Sequence, residues 1–409
     1  MDTDGSSPGC GIDTVEISRV EKLLQDHDPA GLARFFTGQE LADAGADAGR
    51  AASLAARFAA KEACCKLFPR ETTLGALEPT DFGVVRDGYG APRIEPLPRA
   101  RAVMDRYRVA SIKVSLTHTG DTASAVAMAE WMEMPVPWYG RWNYHLFPWR
   151  RAVVMENLRK VFGDVVPEKE IERIAQASYA HFIKFFLEFL RMPFLSAARK
   201  EALVRVENAG ILMRAREEGK GALLLTGHFG NWEVAIAAGI SQFEDARGKF
   251  HLVRRPLRPP WFDAMIRRRS RRAGFETLGK RGSLDEMLGV LERNEFVLFV
   301  FDQHSGGRQA VPSEFFGHPA QTMKSLSVIA QSTGAPVIPA SCWREPDGSH
   351  VLRFDEPLEV IDSEDVGEAT RRNTRTFNAA LERIILRHPE QWIWMHRRWK
   401  PGPKRRRKK

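Results

Sequence analysis

Cysteine is scarce in this chain, and its few copies form no recognisable pattern. The 409 residues contain only Cys10, Cys64, Cys65 and Cys342, and none of them has the spacing of a metal-ligand motif. Two of the four are adjacent, so no disulfide framework is indicated. The composition therefore favours a reduced protein of the cytosol.

Long hydrophobic runs are also missing. No stretch reaches the roughly 18 apolar residues of a membrane-spanning helix, so we predict no such helix. The first five residues are polar and acidic, which is not the pattern of a signal peptide. Internal repeats and recognised nucleic-acid-binding motifs are absent as well.

Acidic residues are under-represented in the later part of the chain. Residues 1–130 hold 15 Lys+Arg against 19 Asp+Glu, a balance of −4, whereas the whole chain is +9, so residues 131–409 carry +13. This asymmetry suggests halves with different partners. A basic half fits an anionic membrane, an acidic carrier protein or nucleic acid. We rank nucleic acid last and predict no specific one, because a short basic tail is usually a nonspecific electrostatic contact.

Hydrophobic periodicity predicts two domains of different class. Residues 1–10, rich in Gly, Ser and Pro, are expected to be disordered, and residues 401–409 form a basic tail. Residues 11–130 predict an α+β domain, with helices on a small antiparallel sheet. Residues 153–400 predict an α/β domain, with a mixed sheet flanked by helices. The segments that carry these predictions are helices at 15–24 and 51–67, and strands at 82–86, 93–97, 112–116, 123–129, 221–226, 296–301 and 337–340.

Residues 131–152 form an aromatic and basic segment between the two domains. Trp138, Trp142 and Trp149 alternate with Arg141 and Arg150. One interpretation is contact with a membrane interface, which would place the protein peripherally on the cytoplasmic face of the inner membrane. The other is a linker that packs its aromatic side chains on the next domain.

The front domain carries a candidate phosphate site. Asp13 is expected at the end of a first short strand and Glu62 on the second helix, with Lys66 one turn further on the same face. Two carboxylates suit Mg²⁺, which neutralises charge during transfer of a phosphate-bearing group. Arg57 could reach another anionic group. These residues alone also allow a solvent-exposed Glu62–Lys66 pair without function.

Five blocks in the front domain resemble the holo-acyl-carrier-protein synthases, in the order of that family. The resemblance implies transfer of 4′-phosphopantetheine from coenzyme A to a serine of an acyl carrier protein. It assigns Asp13 and Glu62 to Mg²⁺, Glu62 and Lys66 to catalysis, and Arg57 and His118 to coenzyme A. The blocks are residues 11–20, 34–41, 57–63 with Lys66, 90–92 and 114–119. The apolar residues that usually precede the first glycine are replaced by Ser6-Ser7-Pro8-Gly9.

A second candidate site follows the apolar run 222–225. His228 could take a proton from a hydroxyl, and Glu233, five residues later, could orient its ring. The segment offers no evident serine or cysteine nucleophile, which favours direct attack by an acceptor over an acyl-enzyme. Taken alone, this spacing is more typical of a structural histidine than of a catalytic one.

Residues from about 157 to 400 resemble the lipid A lauroyl/myristoyl acyltransferases, within the lysophospholipid acyltransferase group. The resemblance implies transfer of a fatty acyl chain from a thioester to a lipid hydroxyl, with His228 as base and Glu233 as its partner. It assigns Arg255 and Arg269 to a phosphate of the acceptor, and Asp302 to support of the site. The motifs lie at 156–162, 228–233, 254–256, 301–303, 311–322 and 394–400.

Together the two resemblances predict a bifunctional transferase. Its expected partners are an acyl carrier protein and a membrane lipid or glycolipid acceptor, with coenzyme A as substrate and Mg²⁺ as cofactor. The alternative is a single-activity acyltransferase whose front domain only docks the carrier.

Overall fold

The computed structural model describes residues 9–73, 75–239, 242–243, 247–254, 258–279 and 284–400. Within them the chain forms two compact units. The first comprises residues 9–135 and 158–173, and the second comprises residues 136–157 and 174–400. Residues 1–8 of the predicted disordered segment and the basic tail 401–409 lie outside the described residues.

The first unit is a small α+β fold. Its three-stranded antiparallel sheet has the order β1-β5-β4, and β2 pairs with β3 in a separate hairpin. Its elements are β1 (Cys10–Glu16), α1 (Ile17–Asp26), α2 (Pro29–Leu32), α3 (Gly38–Asp43), α4 (Arg50–Cys65), α5 (Arg70–Thr73), β2 (Phe82–Arg86), β3 (Pro92–Pro96), α6 (Pro98–Arg106), β4 (Val109–His118) and β5 (Thr122–Trp131).

Helix α4 packs on the sheet because its apolar residues are small and recur on one side. Leu54, Ala59, Ala60 and Ala63 are fully buried against the sheet, and alanine lets a helix backbone approach closely. The predicted fold class is confirmed here. One boundary was wrong, since Cys10 already pairs with Met128 in the sheet rather than lying in a disordered segment.

The rest of the chain builds an α/β fold. Its elements are α7 (Trp138–Leu146), α8 (Arg151–Phe162), α9 (Glu168–Arg191), α10 (Ala197–Leu203), β6 (Val204–Glu207), α11 (Gly210–Glu217), β7 (Ala222–Thr226), α12 (Trp232–Val234), β8 (Phe250–Arg254), α13 (Pro260–Arg272), β9 (Phe275–Gly279), α14 (Leu284–Glu292), β10 (Phe296–Val300), β11 (Ala310–Phe315), β12 (His318–Met323), α15 (Ser325–Thr333), β13 (Val337–Arg344), β14 (His350–Phe354) and α16 (Val366–Arg387).

The central sheet of the second unit has seven strands in the order β6-β14-β13-β7-β10-β8-β9. The pairs β13–β7, β7–β10, β10–β8 and β8–β9 are parallel, whereas β13 and β14 are antiparallel, so the predicted mixed sheet is confirmed. Buried parallel strands are covered on both faces, which explains why β7 and β10 are continuous apolar runs. Both strands end at the same edge of the sheet.

Residues 131–152 are more ordered than a linker. Trp131 ends β5, and α7 occupies residues 138–146. Gly140 packs so closely on α9 that an added Cβ would lie 2.8 Å from the Cβ of Ala180. Among the described residues, no helix has both the length and the apolarity needed to cross a membrane.

Candidate active sites

The first candidate site begins where β1 crosses α4. Gly11 is buried there, and a Cβ on it would lie only 2.0 Å from the carbonyl oxygen of Ala63. Only glycine allows this approach. Asp13 follows two residues later on the same side of β1, while Glu62 precedes Ala63 on α4. Because β1 runs from Cys10 to Glu16, Asp13 lies in the middle of its strand, not at its end as predicted from the sequence.

Lys66 connects the strand to the helix. Its Nζ donates to Asp13 Oδ1 at 2.7 Å and to the backbone oxygen of Ile12 at 2.9 Å. Glu62 lies one helical turn before Lys66, on the same face. The structure thus joins Asp13 to Lys66 directly and leaves Glu62 as their neighbour on α4.

The oxygens near Lys66 bear on the predicted magnesium site. Two oxygens, from Asp13 and Ile12, already surround the positive charge of Lys66. Magnesium is usually held by one or two carboxylates, with substrate phosphates and water completing the shell. Groups of three or more acidic, histidine or cysteine side chains suited to a metal do not occur among the described residues. Binding of Mg²⁺ by Asp13 and Glu62 stays a prediction.

The two residues predicted to contact coenzyme A have different environments. His118 is the last residue of β4 and is exposed. Arg57 is buried, where Nη1 donates to Ser53 Oγ at 2.5 Å and Nη2 lies 3.9 Å from Asp43. Burial, and secondarily the charge of Arg86, lower the pKa of Arg57. Contact with coenzyme A stays a prediction for both.

Two charged residues of the front motifs, Lys61 and Glu40, form a buried ion pair. Lys61 Nζ donates to Glu40 Oε2 at 2.7 Å, and both side chains are almost completely buried. Glu40 also accepts the backbone N–H of Thr37 and of Val84. Burial lowers the pKa of Lys61, and Glu40 opposes that effect. These two residues fasten α3 and β2 to α4, a role that the sequence did not reveal.

The second candidate site lies at the edge where β7 and β10 end. These strands pair in parallel, with Thr226 opposite Val300. His228 follows the first strand and Asp302 the second, so the topology brings them together across 74 positions of sequence. The carboxyl ends of parallel strands are a common location of ligand sites in open α/β sheets.

His228 and Asp302 form a hydrogen-bonded pair. The His228 Nδ1 lies 3.0 Å from Asp302 Oδ1, and the His228 backbone N–H donates to Oδ2 at 2.8 Å. Trp392 Nε1 also donates to Oδ2, at 2.8 Å. An ionised carboxylate only accepts hydrogen bonds, so Nδ1 of His228 carries the proton and Nε2 is left as an acceptor.

The electrostatic environment of His228 favours its action as a base. Burial would lower the pKa of His228, but the charge and hydrogen bond of Asp302 outweigh it and raise that pKa. The pKa of Asp302 is lowered despite its burial, chiefly because it contacts His228. His396, whose ring lies 5.3 Å from that of His228, has a pKa lowered by burial and by the charge of His228.

Glu233 occupies a different place from the one predicted for it. The structure pairs the ring of His228 with Asp302, and Glu233 instead interacts electrostatically with Arg269 and Arg254. Burial raises the pKa of Glu233, and the two arginines oppose this. Among the described residues no hydrogen bond or ion pair is recorded between His228 and Glu233, and Nδ1 of His228 contacts Asp302 instead.

Arg269 links α13 to α9, and its contact with an acceptor phosphate stays a prediction. It extends from α13, its Nη1 donates to the backbone oxygen of Phe189 at 3.0 Å, and its guanidinium stacks on the Phe189 ring. Its Nη2 is buried and has no hydrogen-bond partner among the described residues. Arg255, the other residue predicted to bind phosphate, lies outside the described residues.

A cavity of about 870 Å³ opens beside His228. Its floor is the apolar face of the sheet, including Leu224, Leu252 and Leu298, and aromatic residues of α9 form one wall. His228, Glu233 and Gln303 contribute polar groups, and the Gln303 amide lies 3.4 Å from His228 Nε2. A large apolar space with few polar groups is the form of a small-molecule site, here suited to a hydrocarbon chain.

Comparison with known proteins defines the class of this chain. Residues 126–401 match the family of bacterial lipid A biosynthesis acyltransferases, and residues 9–127 match the 4′-phosphopantetheinyl transferase superfamily. The chain belongs to the first of these families, and its N-terminal part belongs to the second. Both comprise transferases, so the predicted fusion of a holo-acyl-carrier-protein synthase module with a lipid acyltransferase module is confirmed.

Individual relatives divide in the same way. The phosphatidylinositol mannoside acyltransferase of Mycolicibacterium smegmatis is 26% identical over 247 residues, which are 59% of this chain and 77% of that protein. The holo-[acyl-carrier-protein] synthase of Moorella thermoacetica is 43% identical over 120 residues, which are 29% of this chain and 91% of that protein. The Helicobacter pylori synthase in complex with coenzyme A is 27% identical, covers 30% of this chain and 99% of its own, and has a TM-score of 0.26.

Proposed function

We propose that this chain is a bifunctional transferase. The front module transfers 4′-phosphopantetheine from coenzyme A to a serine of an apo acyl carrier protein. The rear module transfers a fatty acyl chain from a thioester, on carrier protein or coenzyme A, to the hydroxyl of a lipid or glycolipid. The observation that carries the rear activity is the His228–Asp302 pair at the opening of an apolar cavity of about 870 Å³.

The chemistry of the rear site follows from the orientation of His228. Nε2 takes the proton of the acceptor hydroxyl as its oxygen attacks the thioester carbonyl. The carbon–sulfur bond then breaks, and the proton on Nε2 goes to the departing thiolate. Asp302 stabilises the imidazolium formed between these steps, as the acid does in a Ser-His-Asp triad. The acyl chain occupies the apolar floor of the cavity.

The acceptor is expected to carry an anionic headgroup. Arg269, whose buried Nη2 has no hydrogen-bond partner among the described residues, is the proposed contact for a phosphate oxygen, and Arg255 is a second candidate. Glu233, next to Arg269, holds that guanidinium in place and completes the polar side of the cavity. Relatives that acylate lipid A or phosphatidylinositol mannosides make phosphorylated glycolipids the first class to test.

The chemistry of the front site depends on charge neutralisation. Asp13 and Glu62 would hold Mg²⁺, which when bound neutralises the pyrophosphate of coenzyme A. Lys66 stabilises charge that develops during transfer, and Glu62 also accepts the proton of the carrier serine. Arg57 and His118 are proposed to contact the nucleotide part of coenzyme A.

Two substitutions separate the activities. With coenzyme A, Mg²⁺ and apo carrier, Glu62→Ala should abolish the mass increase of the carrier, whereas exposed Glu95→Ala on β3 serves as a control. With an acyl thioester and a glycolipid panel, His228→Ala should abolish acyl transfer and leave carrier modification intact. Carrier binding without modification by the wild type would instead make the front module a docking unit, the single-activity alternative.

We further propose that the second unit touches a membrane surface from the cytoplasmic side of the inner membrane. Trp138, Trp142 and Leu146 recur every four residues on α7 and are exposed, as are Phe147 and Trp149 after it. Exposed aromatic rings beside arginines suit the interface of an anionic bilayer. The contact would bring the cavity close to its lipid acceptor.

A further inference from the structure

A buried ion pair joins α9 to β13 behind the acyltransferase site. Arg344 donates to Glu188 twice, from Nε to Oε1 at 2.5 Å and from Nη2 to Oε2 at 2.6 Å. The Arg344 side chain is only 6% exposed and that of Glu188 is 22% exposed. Neither residue lies in the motifs that suggested the function, and neither belongs to the acyl-transfer chemistry described above.

The remaining hydrogen bonds of this pair lead to the turn that carries His228. Asn231 Nδ2 donates to Glu188 Oε2 at 2.6 Å, and Asn231 Oδ1 accepts the backbone N–H of Val234. On the other side, Arg344 Nη1 donates to His181 Nδ1 at 3.0 Å, and His181 Nε2 donates to the Gly230 oxygen at 3.3 Å. Two independent routes therefore run from the ion pair to consecutive residues of the turn.

A third connection passes through the backbone. The side-chain amide of Gln391 accepts the backbone N–H of Arg344 and donates to the backbone oxygen of Arg344, each at 2.9 Å. The backbone oxygen of Gln391 accepts the N–H of Gly230 at 2.8 Å. Gly230 has a φ of +60°, and a Cβ there would lie 1.5 Å from the Cys342 oxygen. The backbone of the turn at Gly230 therefore lies in close contact with β13 at Cys342, with no space for a side chain between them.

The pKa values of His181 and Glu188 are both lowered from their ordinary values. Burial, and then the charge of Arg344, lower the pKa of His181 to about 3, so the ring stays neutral. Burial opposes ionisation of Glu188, but contacts with His350 and Arg344 lower its pKa overall.

A buried ion pair is weak evidence of stabilisation, because desolvation of the two charges offsets most of their attraction. Apolar residues of similar size often give equal stability. What apolar residues cannot supply is the acceptor for Asn231 and the donor for His181. The distinctive property of this pair is its set of directional contacts with residues 230 and 231.

We propose that Glu188 and Arg344 are positioning residues that hold the Gly230–Asn231 backbone so that His228 stays against Asp302 and its Nε2 faces the cavity. The assignment rests on the proposed role of His228 as base. Displacement of a reacting group by about 1 Å can reduce the rate roughly 100-fold. Loss of the pair should therefore lower kcat by about that factor, with little effect on the KM for the acyl donor.

The test compares Glu188→Met, Arg344→Met and the double variant. Each single variant leaves one uncompensated buried charge and is expected to lower Tm, whereas the double variant removes both charges and should recover most of it. If the pair positions the turn, kcat stays about 100-fold low in the double variant. Asn231→Ser, which keeps an oxygen for Val234 but cannot reach Glu188, should lose activity in the same direction.

A second readout needs no substrate. The ring titration of His228, followed by NMR with labelled histidine, reports the contacts of this ring with Asp302 and His396. Because Asp302 raises the pKa of His228, a displaced turn should lower that pKa by about one unit or more. A residue with a merely structural role would not change it in folded protein.

Arg375→Gln is the matched control. Arg375 pairs with the buried Glu382, which also accepts a backbone N–H, in the same unit. Its loss should lower Tm but leave the His228 titration and kcat unchanged. Unaltered His228 pKa and kcat in the folded double variant would overturn the positioning role. A wild type without acyl transfer would refute the proposed function, and the titration would still decide the positioning question.

Discussion

The contact between His228 and Asp302 predicts how acyl transfer depends on pH. The base must be neutral, so the rate falls as the pH drops through the pKa of His228. Asp302 raises that pKa above the ordinary value of about 6.5. Asp302→Asn keeps the size of the side chain but removes its charge, so the acidic limb of the profile should move to lower pH, by about 1–3 units.

The size of the rate effect can be estimated from the geometry. Unit charges 3.0 Å apart, the distance from Nδ1 to Oδ1, attract by roughly 5 kcal/mol at an effective dielectric constant of about 20. If that attraction stabilises the imidazolium only in the transition state, its loss lowers kcat by up to about 10⁴-fold. The amide introduced by Asp302→Asn can also favour the wrong tautomer of His228, which acts in the same direction.

The assay is release of free thiol from an acyl thioester in the presence of a glycolipid acceptor, measured from about pH 5 to pH 9, a range that spans the pKa of an ordinary histidine. Glu233→Gln is the matched comparison, because it removes the carboxylate predicted from the sequence to orient His228. It should weaken acceptor binding through Arg269 and leave the acidic limb in place. An unshifted limb in Asp302→Asn together with a shifted limb in Glu233→Gln would refute the assignment of Asp302.

Three further predictions concern other parts of the chain. Glu40→Gln leaves Lys61 charged and buried, so it should lower the free energy of unfolding by about 3–5 kcal/mol, measured by urea denaturation. The exposed Glu78→Gln is its control, with almost no change expected. Gly230→Ala should abolish acyl transfer and leave carrier modification intact, because the added Cβ has no room beside Cys342; full acyl-transfer activity would contradict the position of the turn. The double substitution Trp138→Ser/Trp142→Ser should weaken binding to anionic vesicles by roughly tenfold or more in a sedimentation assay, whereas Tyr89→Ser, at another exposed aromatic residue, should have no effect.

Much of the fold could be predicted from local patterns. The apolar runs at 222–225 and 296–300 became the buried parallel strands β7 and β10. The apolar face formed by Leu54, Phe58 and Ala59 predicted a helix at 51–67, which the structure contains as α4. Residues 131–152, interpreted from the sequence as a membrane contact or a linker, contain the helix α7, which no pattern had indicated.

The active-site partners were harder to predict. Asp302 was recognised only as support for the site, and Glu233 was assigned to His228 because five residues is a short separation. In the structure the chain turns after His228, while the parallel pairing of β7 and β10 brings the residue 74 positions away into contact. Likewise, Lys61 and Glu40 stood in recognised motifs without any sign that they form a buried pair.

The amino-acid sequence by itself determined the two classes of transferase, the two fold classes and some of the strands, among them β7, β10 and β13, and it indicated His228 as the candidate base. These features depend on motifs and on the periodicity of neighbouring residues, which a single segment contains. Only the tertiary structure decided that Asp302 is hydrogen-bonded to His228 and that Lys66 meets Asp13. It also decided that Glu188 and Arg344 are joined by hydrogen bonds to Asn231 and His181. Such contacts depend on strand order and on the packing of distant segments. The spacing of residues along the chain predicts neither of these.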